Sequence, residues 1–174
     1  MFRAELSGFL RDLAARRSMI QQKTSELGAE HAEVLRIREN YVNALIVDNQ
    51  ISEAKAECQS IIQIRERLFG PDHGSLISCR QRLANCLNIE RKYDQAEIQL
   101  RAVLKTQERF DGRTTRATLS CAYQLAYCLM QQGKREEALP YAQRAADGYR
   151  KLFGTNDEMT YDAERFLEDL QRKK

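Results

Sequence analysis

Cysteine and histidine are the residue types in this sequence whose spacing could support chemistry. Four of the five cysteines form two pairs seven residues apart, Cys79 with Cys86 and Cys121 with Cys128, so each pair lies on one side of a helix. Such pairs could hold a metal or undergo redox reactions. No C-x-x-C motif is present, and free cysteine commonly behaves as a small buried hydrophobe. We therefore interpret the cysteines as packing residues. Because we expect them to stay unpaired, we predict a reducing, cytoplasmic setting.

The two histidines, His31 and His73, lie 42 residues apart, which raises the question of a metal site. Two further steps of 42 reach Thr115 and Asp157, so the position is not reserved for histidine. A lone histidine without clustered ligands rarely binds a metal ion. We interpret both as structural or helix-capping residues, and we predict neither a metal nor a cofactor.

Motifs for catalysis are missing from the sequence. It contains no glycine-rich phosphate loop, no H-E-x-x-H, and no nucleophile with a histidine placed to activate it. We predict that the protein is not an enzyme and has no small-molecule substrate.

A net charge of +3 from 28 basic and 25 acidic residues does not require a nucleic-acid partner. No secretory signal is recognisable, and no apolar run approaches the roughly 20 residues that span a bilayer, so we expect no membrane partner.

A fixed period organises the elements that must position any site. Each turn glycine lies 42 residues after the previous one, at Gly28, Gly70, Gly112 and Gly154. Alanine and leucine columns keep the same step, at Ala54, Ala96 and Ala138 and at Leu45, Leu87 and Leu129. A period of this length indicates a chain built from repeated supersecondary units.

Within one period, apolar residues recur at steps of three and four from Ser75 to about Arg91 and again from Tyr93 to Arg109. This spacing predicts two amphipathic helices joined by a short turn. The glycine is predicted to end the second helix with a positive φ, because glycine adopts that geometry without a Cβ clash.

Helix starts are assigned from capping chemistry. Asp94 and Glu97 are predicted to form a capping box, and Pro140 is assigned to the first turn of its helix. After the glycine turns, the predicted caps of the following helices are Asp72, Thr114 or Thr115, and Asn156.

The residue pattern resembles a known repeat family. In the third repeat, Leu125-Ala126 is followed by Leu129, Gly133 and Ala138, as in the tetratricopeptide repeat (TPR). Residues 64–108 resemble the long TPRs of kinesin light chains and of many bacterial proteins, and the resemblance covers residues 26 to about 170. It implies an all-α, right-handed TPR-type α-solenoid of antiparallel helix pairs with extra terminal helices. We expect one domain over residues 1–174, composed of an N-terminal helix (1–25), repeats 26–67, 68–109 and 110–151, and a C-terminal capping helix (152–174).

The N-terminal helix carries an apolar seam without a preceding partner helix. Its residues are Phe2, Leu6, Phe9, Leu13 and Ile20. Three explanations are open: the helix caps the solenoid, the chain is a fragment of a larger protein, or two copies form a homodimer through this helix.

First helices line the inner surface of such an array. In the TPR register the inward positions are rich in amides and tyrosines, which suit the main chain and side chains of a bound peptide. The predicted binding residues are Asn40, Asn43, Gln81, Arg82, Asn85, Tyr123, Gln124 and Tyr127. We predict a protein–protein interaction scaffold that binds a partner protein or an extended peptide in its concave groove.

Known TPR ligand sites match this sequence only in part. Kinesin light chains hold cargo peptides with an Asn-Asn pair, and of the equivalent positions in the three repeats only Asn40 is an asparagine. The chaperone-tail clamp is matched by Asn43 and Arg82, whereas Glu39, Ser120 and Gln124 depart from it. The resemblance therefore implies neither of these two specificities.

Three alternatives to peptide binding are open. The polar inner residues could be ordinary solvated surface. The chain could be an architectural or regulatory module of a larger protein. Nucleic acid could bind through Arg82, Arg113, Arg116 and the tyrosines, although the near-neutral charge argues against it, and a salt titration would distinguish this reading.

Overall fold

Eight α-helices make up the described part of the chain. The computed structural model describes the backbone of residues 2–172 and the side chains of residues 13–172. The helices are α1 (Phe2–Leu27), α2 (Ala32–Val47), α3 (Ile51–Phe69), α4 (Ile77–Ile89), α5 (Tyr93–Phe110), α6 (Arg116–Gln131), α7 (Arg135–Phe153) and α8 (Glu158–Gln171). A short 3₁₀ turn, Gly74–Leu76, precedes α4, and residues 2–172 contain no strand. The all-α prediction is confirmed.

The chain divides into two compact units, Met1–Pro71 and Asp72–Lys174. In the first unit α1 packs on α2, and α2 packs on α3. A polar network joins the three helices, because Arg17 donates to Glu53 at 2.7 Å and the Tyr41 hydroxyl donates to the same carboxylate at 2.8 Å. The prediction of a single domain is not tested by this division and stays a prediction.

In the second unit each helix packs on the next one along the chain, from α4 through α8. Small residues occupy the seams between the helices of a pair, as the sequence pattern predicts. Ala126 and Ala138 are both fully buried where α6 meets α7, and Ala84 and Ala96 are fully buried where α4 meets α5. Small side chains at these positions let the helix axes approach closely.

The repeated glycine ends each second helix in the predicted geometry. Gly28, Gly70, Gly112 and Gly154 have φ values of 88°, 84°, 82° and 87°. Only glycine takes this left-handed conformation without steric cost. The prediction of a positive φ at this position is therefore confirmed in all four copies.

The residue three positions after each glycine caps the next helical segment. His31 and His73 accept hydrogen bonds from the backbone N–H groups of Glu33 and Ser75 through Nδ1. The Thr115 hydroxyl and the Asp157 carboxylate do the same at α6 and α8. The capping interpretation of the histidines is confirmed, and one register position serves as the N-cap throughout.

Two of the other predicted caps are wrong by one residue. Asp72 and Asn156 directly precede the true caps His73 and Asp157, and the Asp72 carboxylate instead accepts from Lys105 at 2.9 Å. The capping box at Asp94 and Glu97 is also wrong. The N-cap of α5 is Lys92, which makes no side-chain capping bond. The Glu97 carboxylate forms ion pairs with Arg101 of α5 and with Lys134 before α7 instead.

Pro140 lies further into its helix than predicted. It is the sixth residue of α7, and the first backbone bond of that helix already joins the Ala138 N–H to the Lys134 carbonyl. Pro140 therefore removes the bond that the Glu136 carbonyl would otherwise accept. The helix nevertheless continues to Phe153, because its buried alanines are packed against the neighbouring helices.

The apolar seam of α1 can be followed only in part. Phe2, Leu6 and Phe9 lie outside the described side chains, whereas Leu13 is buried and Ile20 is half-buried. The homodimer through α1 stays a prediction. No helix within the described residues is both long and apolar enough to cross a membrane.

Candidate functional site

A cavity of about 230 Å³ opens between α6 and α8 in the second unit. Its lining comes from three helices and combines aromatic rings, a thioether, an amide, a hydroxyl and one carboxylate. The lining residues are Ser120, Tyr123 and Gln124 of α6, Tyr149 of α7, and Met159 and Asp162 of α8. Tyr123 and Gln124 are among the residues predicted to bind a partner.

The helical period explains why these side chains face one another. On α6, Leu119, Ala122, Leu125 and Ala126 are fully buried in the core, so Ser120, Tyr123, Gln124 and Tyr127 occupy the other side of the helix. On α8, Thr160, Ala163, Leu167 and Leu170 are buried. The opposite side of α8 carries Met159 and Asp162, which line the cavity, and Phe166, which lies beside it.

An aromatic cluster borders the cavity. The rings of Tyr123 and Phe166 lie 5.2 Å apart, and Phe166 is 6.5 Å from Tyr127. Tyr127 also meets Tyr93 edge to face at 6.3 Å. Tyr127 nevertheless keeps 38% of its surface exposed. Rings held by ring–ring contacts offer a rigid apolar surface, because they lose little conformational freedom when a ligand covers them.

The electrostatics keep both cavity phenols protonated. Burial raises the pKa of Tyr123, and the nearby Asp162 carboxylate raises it further. Burial also raises the pKa of Tyr149, partly offset by the Ser120 hydroxyl and by Arg116. Both hydroxyls are therefore neutral at physiological pH and can donate or accept a hydrogen bond.

Helix α4, which carries three residues of the predicted site, is hydrogen-bonded to α6. The Cys128 thiol donates to Asn88 Oδ1 at 3.0 Å, which joins the two helices. Gln81 and Arg82 are half-buried, Arg82 interacts within the chain, and Asn85 is exposed. Of these side chains, Asn85 is the most accessible to a partner.

The first unit carries the two remaining predicted residues. Asn40 and Asn43 are exposed on α2, one turn apart. The neighbouring Glu39 forms a half-buried ion pair with Arg65 of α3 at 2.7 Å. Whether these asparagines bind a partner is not tested by their placement, and the assignment stays a prediction.

Sequence reasoning missed the contribution of α8. It treated the last helix as a cap, whereas Asp162 and Phe166 stand beside the α6 residues at the cavity. The signal was present in the period, because Asp162 and Phe166 lie 42 residues after Ser120 and Gln124. The α8 helix thus repeats the position of a first helix.

The cysteines are packing residues. Cys58, Cys79, Cys86, Cys121 and Cys128 are all buried and unpaired. Burial raises the pKa of Cys121 to about 12 and that of Cys128 to about 11. No group of three potential metal ligands occurs among the residues that the structure describes.

Comparison with known proteins agrees with the fold. The model of the tetratricopeptide repeat family matches residues 34–74 and 118–158, which begin within α2 and α6. None of the curated proteins matches the sequence significantly. Tetratricopeptide folds are generally protein–protein interaction scaffolds, and such repeat proteins are typically not enzymes.

Solved structures share the architecture at low sequence identity. The putative kinesin light chain nearly identical TPR-like repeats of Podosopora anserina align with a TM-score of 0.81 and 16% identity over 97% of this chain and 80% of that one. BtubC (BKLC) from P. vanneervenii aligns with a TM-score of 0.77 and 16% identity over 97% of this chain and 71% of that one. A TPR-like protein from Chlorobium tepidum aligns with a TM-score of 0.61 and 18% identity over 79% of this chain and 94% of that one. The predicted α-solenoid is confirmed: the chain has a tetratricopeptide-repeat type of fold, which is similar to that of kinesin light chain repeats.

Proposed function

We propose that the chain binds an extended segment of a partner protein on the side of the second unit where α6 and α8 meet. We call this surface the α6–α8 face and define it by Ser120, Tyr123, Gln124, Tyr127, Tyr149, Met159, Asp162 and Phe166. The observation that carries the proposal is the cavity of about 230 Å³ beside an exposed tyrosine. The general use of this fold as an interaction scaffold supports the same function.

The chemistry of the face suits a peptide. The Gln124 amide can donate to and accept from a peptide main chain, which a single-function side chain cannot do. Tyr127 and Phe166 supply flat apolar area, and covering such area yields roughly 25 cal/mol per Å² before the costs of association. The cavity accepts one partner side chain. Gln81, Arg82 and Asn85 of α4 extend the proposed surface.

The test is selection of peptides from a phage-displayed random 12-residue library on the immobilised chain. Affinities of the selected peptides are then measured by fluorescence polarisation for the native chain, Tyr127→Ala and Gln124→Ala. We expect each substitution to weaken binding by about tenfold, as loss of an interface anchor does.

The matched control is Tyr161→Ala, which removes a tyrosine from the same α8 helix at a position that is 61% exposed and outside the cavity. Circular dichroism must show that all variants keep their helicity. Peptides that bind Tyr127→Ala and Gln124→Ala as tightly as the native chain would exclude the α6–α8 face. A purely architectural module would give that result.

Nucleic-acid binding receives no support from the contacts of Arg113 and Arg116 among residues 13–172. The Arg116 guanidinium lies over the Phe153 ring at 6.0 Å, and Arg113 lies 4.0 Å from the Glu108 carboxylate. Both arginines thus have intramolecular neighbours. The cavity lining includes no lysine or arginine.

A further inference from the structure

We propose that the cavity of the α6–α8 face is a pocket for one arginine side chain of the bound partner. This inference rests on the proposed function and specifies the chemistry of the residue that the partner inserts. Size, charge and ring geometry each support it separately.

The size of the cavity suits a single side chain. Its volume of about 230 Å³ is smaller than the roughly 300–1,000 Å³ of pockets that enclose drug-sized ligands. A long side chain that projects from a peptide on the surface can enter such a pocket. A free small molecule would bury too little of its own surface there.

The charge of the lining favours a cation. Asp162 is the one charged residue in the lining, and within residues 13–172 its carboxylate forms no hydrogen bond or ion pair. Three other carboxylates of the second unit are paired with arginines, since Glu97 pairs with Arg101, Glu108 with Arg144 and Glu164 with Arg150. A partner that covered Asp162 without supplying a cation would leave a desolvated charge unpaired, which would weaken binding.

The rings and acceptors favour arginine over lysine. A guanidinium presents five donors in a plane and can stack on an aromatic face, whereas an ammonium is a compact point charge. The lining offers several acceptors, from the Asp162 carboxylate to the Gln124, Ser120 and tyrosine oxygens. One planar group can therefore satisfy many of them while it contacts the rings.

A related set of groups already holds an arginine inside the second unit. The Arg101 guanidinium lies 5.9 Å from the centre of the Tyr141 ring and donates to the Tyr141 hydroxyl at 3.2 Å. It also donates to the Glu97 and Glu137 carboxylates at 2.7 and 3.0 Å. At the cavity the tyrosines and the carboxylate are present, and we infer that the partner supplies the arginine.

The first test uses acetyl-arginine N-methylamide as the probe and its citrulline counterpart as the uncharged analogue of equal shape. Both are titrated into the ¹⁵N-labelled chain and followed by NMR. We expect the arginine probe to shift the amide signals of Tyr123, Gln124 and Asp162, and the citrulline probe to shift them far less. The shifts must disappear in Asp162→Asn. Equal shifts by the two probes, or no shift at these signals, would overturn the pocket.

The second test is a double-mutant cycle on the peptides selected for the proposed function. We expect Asp162→Asn and replacement of the peptide arginine by citrulline each to weaken binding about tenfold, with little further loss when combined. The matched control is Asp169→Asn, which removes the same charge from α8 outside the cavity. Equal weakening of binding by Asp169→Asn would show that the loss in Asp162→Asn comes from the change in net charge, and would overturn the inference.

The outcomes separate the two proposals. Selected peptides that need Tyr127 but lack arginine, or that bind Asp162→Asn as tightly as the native chain, uphold the proposed function and overturn the arginine pocket. A lysine substitution in the peptide that preserves full affinity overturns the preference for arginine. Peptides indifferent to both Tyr127 and Asp162 contradict the proposed function itself.

Discussion

Gly148 of α7 lies directly against the side chain of Leu119 in α6. A Cβ atom on Gly148 would come within 2.4 Å of Leu119 Cδ2 and 2.5 Å of its Cδ1, far inside contact distance. Both residues are buried. A glycine inside a helix costs about 1 kcal/mol relative to alanine, so the close approach of these two helices is retained despite a local penalty.

Gly148→Ala is expected to destabilise the protein. The gain of about 1 kcal/mol in helix propensity is set against overpacking of a fully buried leucine, which typically costs about 1–3 kcal/mol. We expect overpacking to prevail, with a net loss of up to about 2 kcal/mol in the free energy of unfolding measured with urea.

The leucine itself provides the control. In a Leu119→Ala background the clashing methyl groups are gone, so Gly148→Ala should become neutral or stabilising. A gain in stability from Gly148→Ala in the native background would show that Leu119 can move aside. An equal loss of stability from Gly148→Ala in both backgrounds would show that the contact with Leu119 is not its cause.

Glu97 should make stability depend on acid pH. Burial alone would raise the pKa of Glu97, but hydrogen bonds from Lys134, Arg101 and Gln132 prevail and lower it from 4.5 to about 2. A lowered carboxyl pKa stabilises the folded state above the unfolded value of 4.5, and this contribution is lost as the pH falls from 4.5 through about 2. The shift corresponds to about 3 kcal/mol at neutral pH.

Glu97→Gln should therefore be less stable than the native chain by about 2–3 kcal/mol at pH 7. The difference should shrink as denaturation is repeated at lower pH. Glu168→Gln serves as the control, since that carboxylate is exposed and 4.0 Å from Arg172, where a pair contributes little. A Glu97→Gln difference that is constant with pH would contradict the mechanism.

Thr115→Ala tests the capping position of α6. The Thr115 hydroxyl accepts from the Thr118 N–H at 3.2 Å, and the Thr118 hydroxyl donates to the Gly112 carbonyl at 2.9 Å. Loss of such a cap costs about 1 kcal/mol. Thr114→Ala, one residue earlier and exposed, should change stability by less than about 0.5 kcal/mol. Thermal and urea unfolding of the two variants compare them directly, and equal effects would refute the cap.

The buried thiols should be unreactive in the native state. Since the pKa of Cys121 is about 12 and that of Cys128 about 11, almost none of either group is thiolate at pH 8. We expect a thiol reagent such as DTNB to modify none of the five cysteines in the native chain and all five in guanidinium chloride. Rapid modification of Cys121 or Cys128 without denaturant would contradict their buried placement.

The helices were predictable because the same apolar spacing recurs from one repeat to the next, and periodicity is the strongest local signal. The caps were less predictable. Histidine is not among the usual N-cap residues, so residue type favours Asp72 as a cap, whereas the register of positions 31, 73, 115 and 157 supports the capping interpretation of His73. Glu97 was misassigned because its partners Gln132 and Lys134 are distant in sequence.

The candidate site was predictable in part. The register placed Tyr123, Gln124 and Tyr127 on one side of α6, and the cavity and ring contacts lie there. The contribution of Tyr149 to the lining could not be inferred, because it depends on how closely α7 approaches α6. The contribution of Asp162 follows only if α8 is a further copy of a first helix rather than a cap, as its position 42 residues after Ser120 indicates.

The pairing of a left-handed glycine with a capping residue three positions later has a consequence for how such a chain can change length. A gene duplication or deletion of 42 codons cut at any of these glycines would rejoin the same glycine to the same kind of cap. The new junction would need no compensating substitution. Gain or loss of whole repeats would therefore preserve these helix junctions, whereas a duplication or deletion of another length cut at a glycine would place a different residue three positions after it.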